Sequence, residues 1–338
     1  MSRRRRGPAV REPAAPPYAA LVPDTVLDAL EGIGLRPDGR LLALNSYENR
    51  VYQVWMEEGP PLVAKFYRPN RWSDAAILEE HRFTAQLAER EVPAVPPLPI
   101  GGATLHRGAG YRFSVFPKRG GRPPELEDGQ VLRWMGRFLG RIHAVGRMQR
   151  YVARPRLDME SFGTEPRDWL LDHDFIPPDL RPAWEGTIDM ALQGVARSLD
   201  LAGTVVSLRL HGDCHAGNVL WTDEGPHFVD FDDSRAGPAI QDIWMLLSGD
   251  RAAMEAQLAA VLEGYREFQD FDPRELFLTE ALRTLRLIHY SAWIARRWHD
   301  PAFPAAFPWF DTPRYWQDRI LELREQIALM EEPPLQVR

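Results

Sequence analysis

The segment His211-Gly-Asp-Cys-His-Ala-Gly-Asn218, followed after a short turn by Phe228-Val-Asp-Phe-Asp-Asp233, gathers hard oxygen ligands into a short stretch of chain. Asp213 and Asn218 have the spacing of a loop in which an aspartate receives or orients the proton of an attacking hydroxyl while an asparagine coordinates Mg²⁺. Asp230, ending the next strand-like run, can hold the same metal. Phosphoryl transfer asks little covalent chemistry of a protein, but it needs a positioned nucleophile and cations bridging the nucleotide phosphates. The oxygen ligands must therefore converge on one cleft. Taken singly, each aspartate suits a cap or a turn equally well; the ordered set, H-x-D-x-x-x-x-N and then a strand ending in Asp, carries the catalytic reading. Asp232 and Asp233 are expected to cap the segment that follows.

A kinase also needs a cation on the nucleotide, and Val63-Ala64-Lys65 ends a strand-like run upstream, where a lysine paired with the α- and β-phosphates belongs. Its partner carboxylate is expected from the next helix, in which Glu79 and Glu80 are neighbours. Adjacent helical positions face about 100° apart, so only one is expected to point inward. Glu80, in register with Ile77 and Leu87, takes that place, and Glu79 is expected to face solvent. No G-x-G-x-x-G covers the phosphates. The turn Asn45-Ser46-Tyr47-Glu48-Asn49-Arg50 instead offers backbone amides and the Ser46 hydroxyl, although the same residues suit an ordinary polar hairpin turn.

These residues need elements to hold them. Pro23 to Leu30 reads as a short helix stopped by Gly32 and Gly34. Leu41–Asn45, Val51–Glu57 and Leu62–Tyr67 have strand chemistry and suggest a small antiparallel sheet. Ser73-Asp74 caps a helix that ends near Glu89, before Pro93, Pro96, Pro97 and Pro99. Tyr111–Phe116 is a further strand, and Pro117 through Pro124, with Gly120 and Gly121, a connector. Beyond it the chain turns helical, as in Val131–Val145, interrupted by a hairpin from Asn218–Trp221 and His227–Phe231. The expected fold class is α+β, a bilobal protein-kinase-like fold: a nucleotide-binding, β-rich lobe over 21–116 and a larger α-helical lobe over 117–338.

Composition narrows the function further. The chain has 338 residues, 44% hydrophobic and 26% charged, room for about two domains at roughly 150 residues each. No run reaches the ~18 apolar residues of a membrane span, and no apolar segment follows the initial arginines, so a cytoplasmic protein without membrane contact is expected. Residues 1–20 carry five arginines against Glu12 and read as a disordered tail; without that +4, the formal charge of −7 becomes −11. An acidic body is poorly suited to nucleic acid. The single cysteine, Cys214, excludes an internal disulfide and a multi-thiolate zinc site. Cys214 and His215, being neighbours, cannot easily ligate one ion or act as a nucleophile–base pair. The aromatic stretch Tyr290 to Trp316 reads as packing, with room for one or two rings to face a substrate.

With those motifs the chain resembles the aminoglycoside phosphotransferase and choline kinase superfamily of protein-kinase-like folds. The similarity runs through Leu44-Asn-Ser-Tyr-Glu-Asn-Arg-Val-Tyr-Gln53, Lys65-Phe-Tyr-Arg-Pro69, Ile77-Leu-Glu-Glu-His81, His211 to Trp221 and Asp230 to Gly249. It implies ATP and Mg²⁺ as cofactors, Asp213 as proton acceptor, Asn218 and Asp230 as metal ligands and Ser46 in the ATP site. It also implies that Asp242 braces the catalytic loop. Within the superfamily the resemblance is to bacterial serine/threonine protein kinases that support survival under stress, which implies a protein substrate bearing Ser or Thr, autophosphorylation included, and a monomer. The chain departs from the protein-kinase pattern in having Gly212 where an Arg would read a phosphorylated activation loop, and no Ala-Pro-Glu follows. Switching by activation-loop phosphorylation is therefore not expected. Two other readings stay open: a small-molecule kinase of aminoglycoside, choline or homoserine type, for which the acidic body favours a cationic acceptor, and a non-catalytic nucleotide-binding scaffold.

Overall fold

Strand β3 (Leu62–Phe66) lies at the centre of the smaller lobe, and its alternation sets the two faces of the sheet. Ala64 and Phe66 pack into an apolar core with Val54, Phe113 and Val115, while Val63 and Lys65 point to the opposite face. The computed structural model describes residues 16–337. Around β3 the sheet has the order β1-β2-β3-β5-β4, all antiparallel, with β1 at Pro37–Leu44, β2 at Arg50–Met56, β4 at His106–Gly108 and β5 at Tyr111–Pro117. The short edge strand β4 carries no alternation long enough to be read from sequence. Helix α1 (Pro23–Glu31) covers the core, and α2 (Asp74–Glu89) begins at Ser73, whose hydroxyl accepts the Ala76 N–H.

The expected tail over 1–20 lies outside the described residues as far as 15. Its last residues are built into the lobe: Tyr18 is buried, stacks on Tyr111 and donates its hydroxyl to the Glu48 carbonyl at 3.1 Å. The segment after α2 also reaches the larger lobe, since Val95 N–H donates to the Phe228 carbonyl and Phe228 N–H to that of Pro93.

In the larger lobe, α3 (Gly129–Arg147) packs on α7 (Arg251–Tyr265) over a core that includes Leu139, Cys214, Val219 and Phe228. Helices α4 (Glu165–Asp172), α5 (Arg181–Ala202), α8 (Thr279–Ala295), α9 (Ala302–Ala306) and α10 (Pro313–Glu331) surround a second, aromatic core with Trp184 and Trp316. Two small β-pairs interrupt the helices. β6 (Leu208–Arg209) pairs with β9 (Ala236–Gly237), so the chain between them leaves and returns at one point; β7 (Val219–Thr222) and β8 (Gly225–Phe228) form a hairpin inside that excursion. The short helix α6 (Ile240–Trp244) follows at once. The fold is thus bilobal, with an antiparallel sheet in one lobe and helices in the other. Among the described residues no helix is long and apolar enough to cross a membrane.

Candidate active site

Asp242, fully buried on α6, holds the loop after β6 in place. Its carboxylate accepts the N–H groups of His211 and Gly212, each at 2.8 Å, and meets the His143 ring at 3.0 Å. Gly212 has φ +89°, and a Cβ there would stand 2.2 Å from the Asp233 carbonyl oxygen, so the loop needs glycine at this point. The His211 ring donates from Nε2 to the Val229 carbonyl at 3.0 Å, tying the loop to the far side of the hairpin. Asp213 is thereby presented to the cleft. Asn218 donates its amide to the Asp213 carbonyl at 2.9 Å, which orients the side chain and leaves its amide oxygen for a cation.

Asp213 has an arginine and a histidine beside it. Arg286, on α8, lies 2.7 Å from its Oδ1, and His215 lies 3.5 Å from its Oδ2. Burial pushes the Asp213 carboxyl up, but the His215 hydrogen bond and the Arg286 charge outweigh it and hold the group below the usual carboxylate range.

Lys65 reaches across the cleft. Its Nζ donates to Asp230 Oδ1 at 2.8 Å and lies 3.2 Å from Asp232 Oδ1. Burial works against its charge, yet Asp230, Asp232 and Glu80 prevail and keep it protonated well above the ordinary lysine range. Asp230 sits in the left-handed region at φ +58°, and its side chain stays 52% exposed. Asp232, expected to be a cap, is instead a buried acid between Lys65 and Arg71, held down to about 2: burial raises it, and the two cations overcome that. Asp233 is likewise taken up by Arg71 and Arg235, at 2.8 and 2.9 Å.

The pairing of α2 differs from expectation. Glu80 points inward, but its Oε2 accepts from Arg154 Nη2 at 2.9 Å, and Lys65 forms its ion pairs with Asp230 and Asp232. Arg154 also donates to the carbonyls of Ala76, Asp232 and Ser234, so its fork joins α2 to the turn after β8 that carries the acids. Glu79, expected in solvent, is buried as well. It accepts the N–H groups of Val152, Ala153 and Arg154 at 2.8–2.9 Å, because the 148–157 segment crosses that side of α2. The 100° between neighbouring helical positions separates two buried environments here.

The β1–β2 turn is fastened to the other lobe. Glu48 lies 2.9 Å from Arg68 Nε and 2.7 Å from Arg297 Nε, and accepts from the Trp293 indole at 2.5 Å. Arg68 and Arg50 both reach Asp300. None of these partners has a fixed spacing that sequence could reveal. A faint signal existed: Arg286 and Trp293 lie seven residues apart, on one face of α8.

A cavity of about 640 Å³ lies between the lobes. Leu44, Val51, Val63 and Phe116 give it apolar walls. All six residues singled out from sequence, Ser46, Lys65, Glu80, Asp213, Asn218 and Asp230, border it. An apolar slot that opens onto converging acids and the buried Lys65, set between a sheet lobe and a helical lobe, has the architecture of a phosphotransferase.

A family model described as "Phosphotransferase enzyme family" matches residues 40–278, and the chain belongs to that family. Stress response kinase A of Escherichia coli (strain K12) is 47% identical over 320 residues, which cover 95% of this chain and 97% of that protein. Stress response kinase A of Salmonella typhi is 45% identical over 322 residues, and so is a Salmonella typhimurium protein named Serine/threonine protein kinase RdoA; each match covers 95% of this chain and 97% of the relative. Within the family the chain therefore belongs with the stress response kinase A proteins. Solved structures share the fold at low identity. An amicoumacin kinase, hAmiN, has a TM-score of 0.69 at 19% identity, covering 90% of this chain and 93% of that one. A microcompartment-associated aminopropanol kinase has 0.64 at 19%, covering 86% and 91%.

Proposed function

We propose that this protein is an ATP- and Mg²⁺-dependent serine/threonine protein kinase, active in bacterial stress survival. The observation that carries the reading is the convergence of Asp213, Asn218, Asp230 and Lys65 on one cavity, at the end of an apolar slot. The relative named as a serine/threonine protein kinase, 45% identical over nearly the whole chain, supports a protein acceptor.

The donor set fits magnesium. Among the described residues no group of three or more His, Cys, Asp or Glu side chains stands together as a metal cage. One exposed carboxylate and one amide oxygen suit an ion that keeps waters and shares the substrate's phosphates. Asp230 and Asn218 would hold it, and when bound it neutralises charge on the transferring phosphoryl group.

The chain's own residues do the rest. Asp213 accepts the proton of the acceptor hydroxyl as that oxygen bonds to the γ-phosphorus. The bond from phosphorus to the β–γ bridging oxygen breaks, and ADP departs with the electron pair. Lys65, kept charged by its acidic neighbours, faces the nucleotide phosphates, and Ser46 and the turn around it cover them from above. Fastening Glu48 to Arg297 and Trp293 holds that cover against the cleft. Incorporation of labelled phosphate from ATP into serine or threonine of a protein, with and without Mg²⁺, tests the reading. Label confined to small alcohols contradicts it.

A further inference from the structure

From the geometry around Asp213 we infer that Arg286 selects the acceptor: it favours a hydroxyl with a carboxylate close by, as in a Ser or Thr flanked by Asp or Glu. The inference deepens the protein-kinase reading and rests on it for the nature of the acceptor. Arg286 stands 2.7 Å from Oδ1 of the base, yet its side chain is 40% exposed. The other cations near this end of the cleft have acids of their own. Arg297 is held by Glu48, Arg319 by Glu322, and Arg71 and Arg235 by Asp233. Arg286 alone among these is paired with the carboxylate that must receive the nucleophile. On the same face of α8, Tyr290 and Trp293 stack at 5.7 Å, and Trp293 borders the cavity that contains Asp213.

Two consequences follow from that placement. An approaching hydroxyl finds Asp213 Oδ1 already covered, so the acceptor must draw Arg286 aside. A carboxylate does this well, because it accepts two parallel N–H bonds from a guanidinium. Drawing Arg286 aside also frees Asp213 Oδ1 to meet the acceptor hydroxyl. A cationic acceptor, by contrast, meets like charge at the base and offers Arg286 no partner. The residue therefore counters the preference for cationic acceptors that an acidic body implies.

The test compares kcat/KM of the full-length protein for serine peptides that differ only in Asp or Lys beside the serine. A small-alcohol pair, glycerate against choline, is run alongside. The wild-type protein is expected to favour the acidic member by at least ~10-fold, the strength of a charge-assisted contact. Arg286→Ala should erase that ratio mainly through KM for the acidic member, with KM for ATP unchanged, and Arg286→Glu should invert it. Arg286→Lys should restore part of it. A structural role would lower both members equally, so an unchanged ratio in the variants overturns the inference, as does a wild-type protein with no charge ranking. Charge ranking among small alcohols with no peptide labelled would support Arg286 and sink the protein-kinase reading. Labelled peptides without ranking would do the reverse, and transfer to no member would overturn both.

Discussion

Lys65 Nζ lies 2.8 Å from Asp230 Oδ1, so the lysine proposed for the nucleotide and the carboxylate proposed for the metal hold each other across the cleft that separates the lobes. Under the proposed function a triphosphate with its cation would compete for both ends of this pair. Asp230→Ala is expected to leave folding intact, because that side chain is half exposed, and to remove the Mg²⁺-dependent part of ATP affinity. Calorimetric titration with and without Mg²⁺ reads this directly; equal affinity for wild type and variant in the presence of Mg²⁺ contradicts the metal role.

Gly212 is the point at which backbone shape governs the placement of Asp213, the proposed base. A side chain there would be strained at positive φ and would press on the Asp233 carbonyl. Gly212→Ala should displace Asp213 and lower turnover by at least ~10²-fold, the scale of a small misplacement of a catalytic group. Nucleotide affinity should change far less, since Lys65 and Asp230 come from other segments. Single-turnover kinetics and nucleotide titration separate the two effects; wild-type turnover would refute the positional account.

Arg154 binds Glu80 with almost no solvent access, and the two residues are 74 apart in sequence. Arg154→Met leaves a buried acid without its nearest cation and strands three carbonyls. The expected loss is about 3–5 kcal/mol in urea unfolding, the usual result of breaking a buried pair from one side. A midpoint equal to that of wild type would show that the pair is not the joint between α2 and the acidic segment.

Glu275 supplies a pH signature. It is buried against the start of α6, where it accepts the Ile240 N–H at 2.9 Å, and burial raises it from 4.5 to about 7. A carboxyl raised on folding gives the folded state an extra proton between those values. Its stabilising contribution is complete below pH 4.5 and lost as pH climbs through about 7, a change of about 3 kcal/mol. His81, buried, and His289, half-buried, are both lowered to about 3 and act in the opposite sense, with stability lost as pH falls below the ordinary histidine range. Burial is the chief cause for both. The difference between wild type and Glu275→Gln isolates the glutamate: the variant should gain on wild type from pH 5 to pH 8. A constant difference across that range would contradict it.

What the sequence revealed and what it hid follow a physical divide. Asp213, Asn218 and Asp230 were legible because one loop and one hairpin deliver them, so their relation is local and has a spacing. Lys65 was legible because Val63-Ala64-Lys65 ends a strand-like run upstream of that loop. The partners of Glu79 and Glu80 were not, because the irregular 148–157 segment that covers them has no periodicity of its own. Glu48 and Trp293 were hidden because they meet only where the two lobes face one another, and Arg286 because α8 reaches Asp213 from a distant stretch of the same lobe. The acids read as caps, Asp232 and Asp233, show the limit from the other side: only the fold discloses that three cations stand over them.

The most direct measurement is transfer of labelled γ-phosphate from ATP to a protein acceptor by wild type and by Asp213→Asn, with nucleotide affinity measured in parallel. The account predicts phosphoserine or phosphothreonine formed by the wild type. It predicts a fall of at least ~10³-fold in the variant at nearly unchanged ATP affinity, as loss of the residue that receives the proton requires. Undiminished transfer by Asp213→Asn, or a wild type that labels no protein while turning over ATP on small alcohols, would contradict it.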